Sequence, residues 1–593
     1  MTEQLPKELA QAEELIKAGK TEEALEIVRN FQQTAWAYLS SLELDKALEI
    51  AVQSKDLIEK IGEVTDLAMN FLLLGWIIAY QGDQSKALEY AMKSLELNKE
   101  LNRAVGIADS YSLIARIYSL EGDYDRALQY CKQSLSINEI RKRSKRAVLD
   151  TFSEVYYSKS EMNRALKYRQ QAVTIAEELN IPDQLIHDLN QVGFIYRAMG
   201  KYSPAIEYSK RSLVLSEEVS QNFHMARSLG LIILSYIDEK SREKANRYLS
   251  RLSELYDQRK NKADFEFVSN WYLVSKAYMM RTSTRIRDRA DAQAIFKELY
   301  QSTRLDYTNP LWGGDFLVFC LGNLCDLLLE ELSMFNDPEI MDEITPLITK
   351  GLGMGEEANN YYWLALVKLL QAKLTLIQMN PEEARKLMVE AQRIAELHGI
   401  SLLAWGISSE HDKLLGQIDV WDKIEREEAP MAERINLAST NGVLERLQGR
   451  RAMESHEMVD EQSTVLLILA EDGVLVFSYP FSNEWKIDED LFSSFLSAFT
   501  SFSTEFFSKG LDRAKFGEDM MLMESIGSFS FCYLFKGQTY LARQRLTRFI
   551  EKVQNNLSLW QYLEQHYKTS QILELKEAPQ MKSLITEIFI SKS

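Results

Sequence analysis

The sequence predicts a mostly α-helical solenoid of about nine helical hairpins, followed by a small α+β domain. Three observations predict it. Alanines recur at a forty-residue interval, a small residue stands twelve positions before most of them, and the hydrophobic period changes beyond residue 463.

The segments LDKALEI, QSKALEY, YDRALQY, MNRALKY, YSPAIEY and REKANRY align on Ala47, Ala87, Ala127, Ala165, Ala205 and Ala245, at intervals of 40 residues apart from one of 38. Twelve positions earlier stand Ala35, Gly75, Ala115, Ser153 and Gly193, and nine positions earlier Tyr38, Ile78, Tyr118, Tyr156 and Tyr196. Gly82, Gly122 and Gly200 fall between the two helices. The pattern describes a helical hairpin: small residues let the helices approach, and the aromatic ring fills the remaining volume. In the sixth hairpin Ile233 replaces the small residue, so that pair is expected to splay or rotate.

Around Ala24 the run GKTEEALEIV is a half-match, expected to form an N-terminal cap. Ala294 and Ala384, the latter with Ala372 twelve before it, mark later and less regular hairpins. Between them EITPLITKGLGMGEEANN reads as a degenerate repeat, with the glycines from Gly351 stopping a helix. The hairpins are expected to span residues 1–425.

These recurring positions resemble the tetratricopeptide repeat family, and the period, longer than the basic 34 residues, is similar to that of kinesin light chains. The resemblance implies a right-handed solenoid whose first helices line a concave face. Carried over by offset from each alanine, the groove positions are Gln32, Trp36, Leu72, Trp76, Asp109, Ser112, Arg116, Glu154, Tyr157, His187, Asn190, Phe194, Arg197 and Arg227. Aromatic residues stand at the N-terminal end of this wall, with polar and basic ones in the middle. Arg116, Asn190 and Arg197 suit a peptide backbone or carboxylate. The same side chains also fit the solvated face of a scaffold.

Residues 426–462 read as a helical linker containing Pro430 and Gly442. Two apolar, β-branched runs follow, Val465 to Ala470 and Val474 to Phe481, joined through Glu471, Asp472 and Gly473 as a hairpin. Asp488 can cap a helix that carries Leu491, Phe495, Ala498, Phe499 and Phe502 on one stripe. LDRAKF, DMMLMES and FSFCYLF read as strands with turns at Gly517 and Gly527. A helix burying Leu541, Leu546, Phe549 and Val553 comes next, then the helical pieces LWQYLEQHYK and MKSLITEIFI. The order is β-β-α-β-β-β-α-α, a five-stranded antiparallel sheet over residues 463–593 with helices on its faces.

That order, with the patches EDGVLVFSYPF and FCYLFKGQTYLARQRLTRF, resembles the longin domain and the related roadblock domain. MAERINLASTNGVLERLQ stands where the roadblock domain has its extra helix. The resemblance implies a binding platform for a small GTPase, or for a second copy in a homodimer. Phe499, Phe502 and Phe507 are then candidate contacts, and a cap that ends the solenoid is the alternative.

Composition narrows the function. A net charge of −18 argues against nucleic acid, which needs a positive surface. Four cysteines are too few for a disulfide framework, and Cys320 and Cys325, in an apolar run, are expected in the core. The first residues lack a signal-peptide pattern, and the apolar run NFLLLGWIIAY falls short of the ~20 residues that cross a bilayer. No membrane insertion and a cytoplasmic location are expected. The six histidines show no metal-ligand spacing, and no phosphate-binding or nucleophile motif is present. The reading is therefore no enzyme, no cofactor and no metal. RKRSKR, from Arg141 to Arg146, is expected in a solvated loop, with a phosphate-rich partner, an acidic tail or a nuclear import receptor as the alternative.

The expected function is a protein-interaction scaffold or adaptor. Its solenoid binds a protein or peptide, and its C-terminal domain docks a small GTPase or self-associates. The alternative is a signalling regulator whose solenoid changes shape when a peptide binds.

Overall fold

The computed structural model describes residues 5–40, 43–137, 141–262, 264–302, 313–450, 461–470, 474–481, 513–569 and 571–590. The described residues form two compact units that interleave along the chain. One holds those of Met1–Gln378, Arg393–Ser401 and Pro430–Met453, and the other those of Met379–Gln392, Leu402–Ala429 and Glu454–Ser593.

The first unit is a helical repeat array. It begins with α1 (Leu5–Lys17), α2 (Thr21–Ser40), α3 (Leu44–Ile61), α4 (Val64–Tyr80), α5 (Gln84–Glu100), α6 (Ala104–Leu120), α7 (Tyr124–Leu135), α8 (Lys142–Ser158) and α9 (Met162–Leu179). It continues with α10 (Pro182–Ala198), α11 (Tyr202–Glu218), α12 (Asn222–Asp238), α13 (Arg242–Arg259), α14 (Phe265–Arg281), α15 (Ile286–Ser302), α16 (Gly313–Phe335), α17 (Glu339–Glu357) and α18 (Tyr361–Ile377). From α2 to α17 these helices pack as eight successive hairpins among the described residues.

Local chemistry sets each turn. Gly82 and Gly122 take φ of 89° and 74°, which side chains disfavour, and directly after them Asp83 and Asp123 accept from the N–H groups of Lys86 and Arg126 at 3.0 and 3.1 Å. One helix thus ends and the next begins within three residues. Where the helices touch, Ser153 donates to the carbonyl of Ala165 at 2.9 Å, and a Cβ placed on Gly193 would lie 3.2 Å from the carbonyl oxygen of Ala205. Two further repeating signals lie in the same segments. Tyrosines twelve apart pair within a hairpin: Tyr118 with Tyr130, Tyr156 with Tyr168, Tyr196 with Tyr208 and Tyr236 with Tyr248. Ser94, Ser134 and Ser212 each donate to a carbonyl 26 residues earlier, stitching the second helix to the first.

Ile233 is buried in α12, which packs on α13, and α12 approaches α14 closely at Gly230, where a Cβ would sit 2.2 Å from the ring of Trp271. Two local expectations change. Gly351, Gly353 and Gly355 do not stop a helix; they lie inside α17, where Gly351 makes room for Leu321 and Gly355 for Leu364. RKRSKR is not a loop: Lys142 onward forms the start of α8, and Arg146 is buried.

The chain then runs through α19 (Pro381–Leu397), α20 (Ser401–Leu415), α21 (Ile418–Arg426), α22 (Met431–Ala438) and α23 (Asn441–Leu447). The segment expected as a single extra helix before the sheet is α22 and α23, broken at Ser439 with φ of 52°, and both belong to the repeat unit.

The second unit is built on β1 (Gln462–Ala470), β2 (Leu475–Pro480), β3 (Arg513–Phe516), β4 (Asp519–Ile526) and β5 (Phe529–Lys536). They form one antiparallel sheet in the order β2-β1-β5-β4-β3. Its helices are α24 (Thr539–Gln554), α25 (Leu557–Thr569) and α26 (Pro579–Ile585), ending in a π-helical turn, Thr586–Ile590. Side-chain alternation divides the sheet. Leu466, Ile468, Phe531 and Tyr533 share a core with Leu546, Phe549 and Val553 of α24, while Val465, Leu467, Cys532 and Leu534 form a second apolar cluster on the other face. Leu541 is only half-buried, and Ala542 beside it takes the core position. The expected hairpin turn at Glu471, Asp472 and Gly473, and the helix with Asp488, Leu491, Phe495, Ala498, Phe499, Phe502 and Phe507, lie outside the described residues. All four cysteines are buried, and no described helix is long and apolar enough to cross a membrane.

Candidate functional site

A cavity of about 300 Å³ opens within the repeat unit. Tyr80 of α4, Arg116 of α6, Glu154 and Tyr157 of α8, Phe194 and Arg197 of α10, Arg227 of α12 and Trp271 of α14 line it. Phe316 and Phe319 of α16, with Asn359, Asn360 and Tyr362 around the start of α18, also line it. The wall residues on α4 to α16 named here come from the first helix of successive hairpins, because a repeat that advances by a fixed rotation keeps one helix face in register with the next.

Six of the ten groove candidates therefore meet around one space: Arg116, Glu154, Tyr157, Phe194, Arg197 and Arg227. The other four lie elsewhere. Trp36 and Trp76 are half-buried against apolar clusters nearer the N-terminus, and Trp76 stacks on Tyr80 with centroids 6.0 Å apart. Asp109 accepts from Ser144, and Asn190 accepts from Ser228 at 3.0 Å. Of the remaining carried-over positions, Gln32 donates to the carbonyl of Asp66, Leu72 packs on an apolar cluster and Ser112 is buried.

Charge is organised behind the wall. Arg116 pairs with Glu154. Arg169 of α9, which also lines the cavity, bridges Asp150 and Asp188, lying 3.1 Å from Asp188, and Arg146 donates to both oxygens of Asp188 at 2.8 and 3.0 Å. Burial pushes the Asp188 carboxyl up; at Asp150 burial acts the same way but is overcome by Arg169 and the neighbouring cations, which hold it low. Burial, reinforced by Arg227 and Arg169, drives His187 well below its ordinary value despite Asp150, so its imidazole stays neutral. Asp150, His187 and Asp188 do bring potential metal-ligand atoms within 4.8 Å of one another. Both carboxylates already accept from guanidinium groups, and adjacent positive charge opposes a cation there. The arrangement is a structural ion network.

Arg197 continues it. It is 1% exposed, pairs with Asp238 at 2.8 Å, and lies over the ring of Phe319 at 5.5 Å. Tyr278 donates to Asp238 at 2.5 Å. Arg197 also donates to the carbonyls of Gln448 and Gly449, at 3.2 and 3.1 Å, so it holds backbone of its own chain.

Offset reasoning missed Arg169, Trp271, Phe316 and Phe319. Arg169 sits on a second helix, and the other three lie beyond Ala245, where the regular period ends. Only the column of aromatic side chains on first helices pointed their way.

The tetratricopeptide repeat model matches residues 110–144. No curated protein matches the chain by sequence. Among solved structures, a Rap protein complexed with Competence and Sporulation Factor aligns at 12% identity over 71% of this chain and 99% of its own, with a TM-score of 0.41. Aspartyl phosphate phosphatase F from Bacillus subtilis aligns at 13% identity over 66% and 94%, with a TM-score of 0.36. A kinesin light chain repeat protein from Podospora anserina aligns at 15% identity over 34% and 99%, with a TM-score of 0.30. Scores of this size carry no functional argument. On its repeat period, its hairpin packing and the matched segment, this chain is a helical-hairpin repeat protein carrying a tetratricopeptide repeat at residues 110–144.

Proposed function

We propose that the chain is a protein-interaction module whose repeat unit takes a peptide or a segment of a partner protein in the cavity around Arg116, Tyr157, Phe194, Arg197 and Arg227. The observation that carries this reading is the cavity itself, about 300 Å³ of space walled by aromatic rings and arginines from successive first helices. Aromatic faces supply apolar contact, and guanidinium groups orient carbonyls or carboxylates. The test is selection from a displayed peptide library on the immobilised full chain. Selected peptides should lose affinity with Tyr157→Ala and Arg227→Ala but not with Trp36→Ala. Selection that yields no peptide, or peptides indifferent to the cavity substitutions, overturns the reading.

In the same reading the sheet unit is the second contact, for a small GTPase or for another copy of the chain. Support comes from β2 and β3, which stand at the two edges of the sheet, the positions from which a sheet can recruit another strand. Light scattering on the full chain distinguishes self-association, and capture of nucleotide-loaded small GTPases tests docking. A monomer that captures none removes this second contact. As a regulator, the repeat unit would change shape with peptide bound, and unchanged small-angle scattering at saturation removes that variant.

A further inference from the structure

After Arg426 the chain returns to the repeat unit. Pro430 opens α22, and α22 and α23 both pack against α16 and α18. Each of these two short helices ends on a buried cation from a repeat helix. Lys373 of α18, 2% exposed, donates to the carbonyls of Ala438 at 2.7 Å and Ser439 at 3.0 Å, at the end of α22. Arg197 does the same for Gln448 and Gly449, just past the end of α23. The last carbonyls of a helix have no partner within it and carry its partial negative charge, so a cation there meets both needs.

The seat is also shaped for this segment. Val443, Leu444 and Leu447 are buried, and Gln448, fully buried, donates to the carbonyl of Gly322 at 3.2 Å and to Asp326 at 3.0 Å. A Cβ placed on Gly322 would lie 2.8 Å from Cβ of Leu447. Gly322 is therefore the floor on which Leu447 rests, and any side chain there would lift it.

We propose that this surface on α16 and α18 is a docking groove for a short helical segment, that residues 431–449 are its occupant in cis, and that the occupant exchanges. Three features carry this. Helices of eight and seven residues are too short to be stable alone, so the segment is held by its seat and not by internal structure. The array α16–α17–α18 is already packed helix on helix, so the segment is an addition to the repeats and not one of them. Seat and segment meet through buried polar groups, Lys373 and Arg197 on the seat and Gln448 on the segment, which favour a particular ligand over mere apolar filling. The matching partner is a short amphipathic helix with the pattern Val-Leu-x-x-Leu-Gln-Gly, its closing carbonyls turned to the two cations. This inference does not rest on a ligand in the neighbouring cavity, because its test reads only the segment.

The experiment uses the full chain and a fluorescein-labelled synthetic peptide of residues 430–450. In the wild type, amides of 441–449 should exchange slowly and the peptide should bind weakly. The variant Leu447→Ala/Gln448→Ala loosens the occupant but leaves the seat intact. Its 441–449 amides should exchange roughly tenfold faster and the peptide should bind roughly tenfold tighter. Adding Gly322→Ala should abolish that gain. Lys373→Met, which removes the grip on α22 while keeping the apolar contacts, gives a second opening should the double variant lose its thermal transition. Slow exchange in both opened variants overturns the proposal. So does an opened segment whose seat refuses the peptide, or peptide binding indifferent to Gly322→Ala.

Discussion

Asp412 of α20 accepts from three donors across to the sheet: the guanidinium of Arg513 at 3.2 Å, and the hydroxyl and backbone N–H of Thr539 at 2.6 and 3.0 Å. Arg513, 1% exposed in β3, is further held by Gln392 at 2.8 Å and Ser408 at 3.1 Å. One carboxylate thus neutralises a buried cation and satisfies the first turn of α24, and α20 is as much a part of the sheet unit as its own helices. Asp412→Ala is expected to cost about 3–5 kcal/mol, as for a buried pair broken on one side. Asp412→Asn, which still accepts hydrogen bonds, should cost less. Urea titration followed by near-ultraviolet circular dichroism checks the order, and equal midpoints for the two variants would contradict it.

Arg197 and Asp238 form the corresponding pair in the repeat unit, with side chains each 2% exposed. Asp238→Ala strands a guanidinium and also removes the acceptor of Tyr278. The expected loss is again about 3–5 kcal/mol, whereas Asp238→Leu combined with Arg197→Met should lose markedly less because no charge is left buried. A double-mutant cycle by chemical denaturation gives the coupling.

Two glycine substitutions should act in opposite directions. At Gly230 a new Cβ falls 2.2 Å from the rigid ring of Trp271, and Gly230→Ala is expected to destabilise by about 1–3 kcal/mol. At Gly353, inside α17, a Cβ meets nothing within 4 Å, so Gly353→Ala should stabilise by roughly 0.5–1 kcal/mol through the unfolded chain's lost freedom. Differential scanning calorimetry on both variants reads the signs directly.

Acid should weaken the repeat unit through its histidines. Burial, aided by Arg227, brings His224 down to about 3, and His187 is also held well below its ordinary value. A group whose folded value is depressed keeps its contribution above the unfolded value, near 6.5, and loses it as pH falls, because the unfolded state then binds the extra proton. Stability should therefore fall from about pH 6.5 toward pH 3, and His224→Leu should flatten the slope. Urea midpoints between pH 7 and 4.5 measure it. An unchanged slope in the variant would remove His224 from the account.

Much of the helical array is legible from Ala47 to Ala245, since each hairpin makes its main contacts within one period. Gly82 with Asp83, and Gly122 with Asp123, write the turns in two residues each. The antiparallel succession of β3, β4 and β5 was legible for the same reason, as runs separated by Gly517 and Gly527 leave them little freedom, whereas the place of β5 beside β1 was decided by packing. Gly351 misled because a glycine that lets helices touch and one that ends a helix are the same letter, and only the neighbours Leu321 and Leu364 tell them apart. Arg146 misled because five basic residues in six look solvated until Asp188, 42 positions away, removes one of them from water.

Sequence alone set the hairpin period, the small residues where helices meet, the sheet's strands and the column of first-helix side chains that turns toward one side. Tertiary structure decided which of those side chains surround a common cavity and which acids hold Arg146, Arg169 and Arg197 in place. It also placed α20 with the sheet and α22 and α23 with the repeats. The division follows from range. A repeat encodes contacts made within one period, whereas Arg197 meets Gln448 across 251 positions, and no local pattern constrains two residues so far apart until packing brings them together.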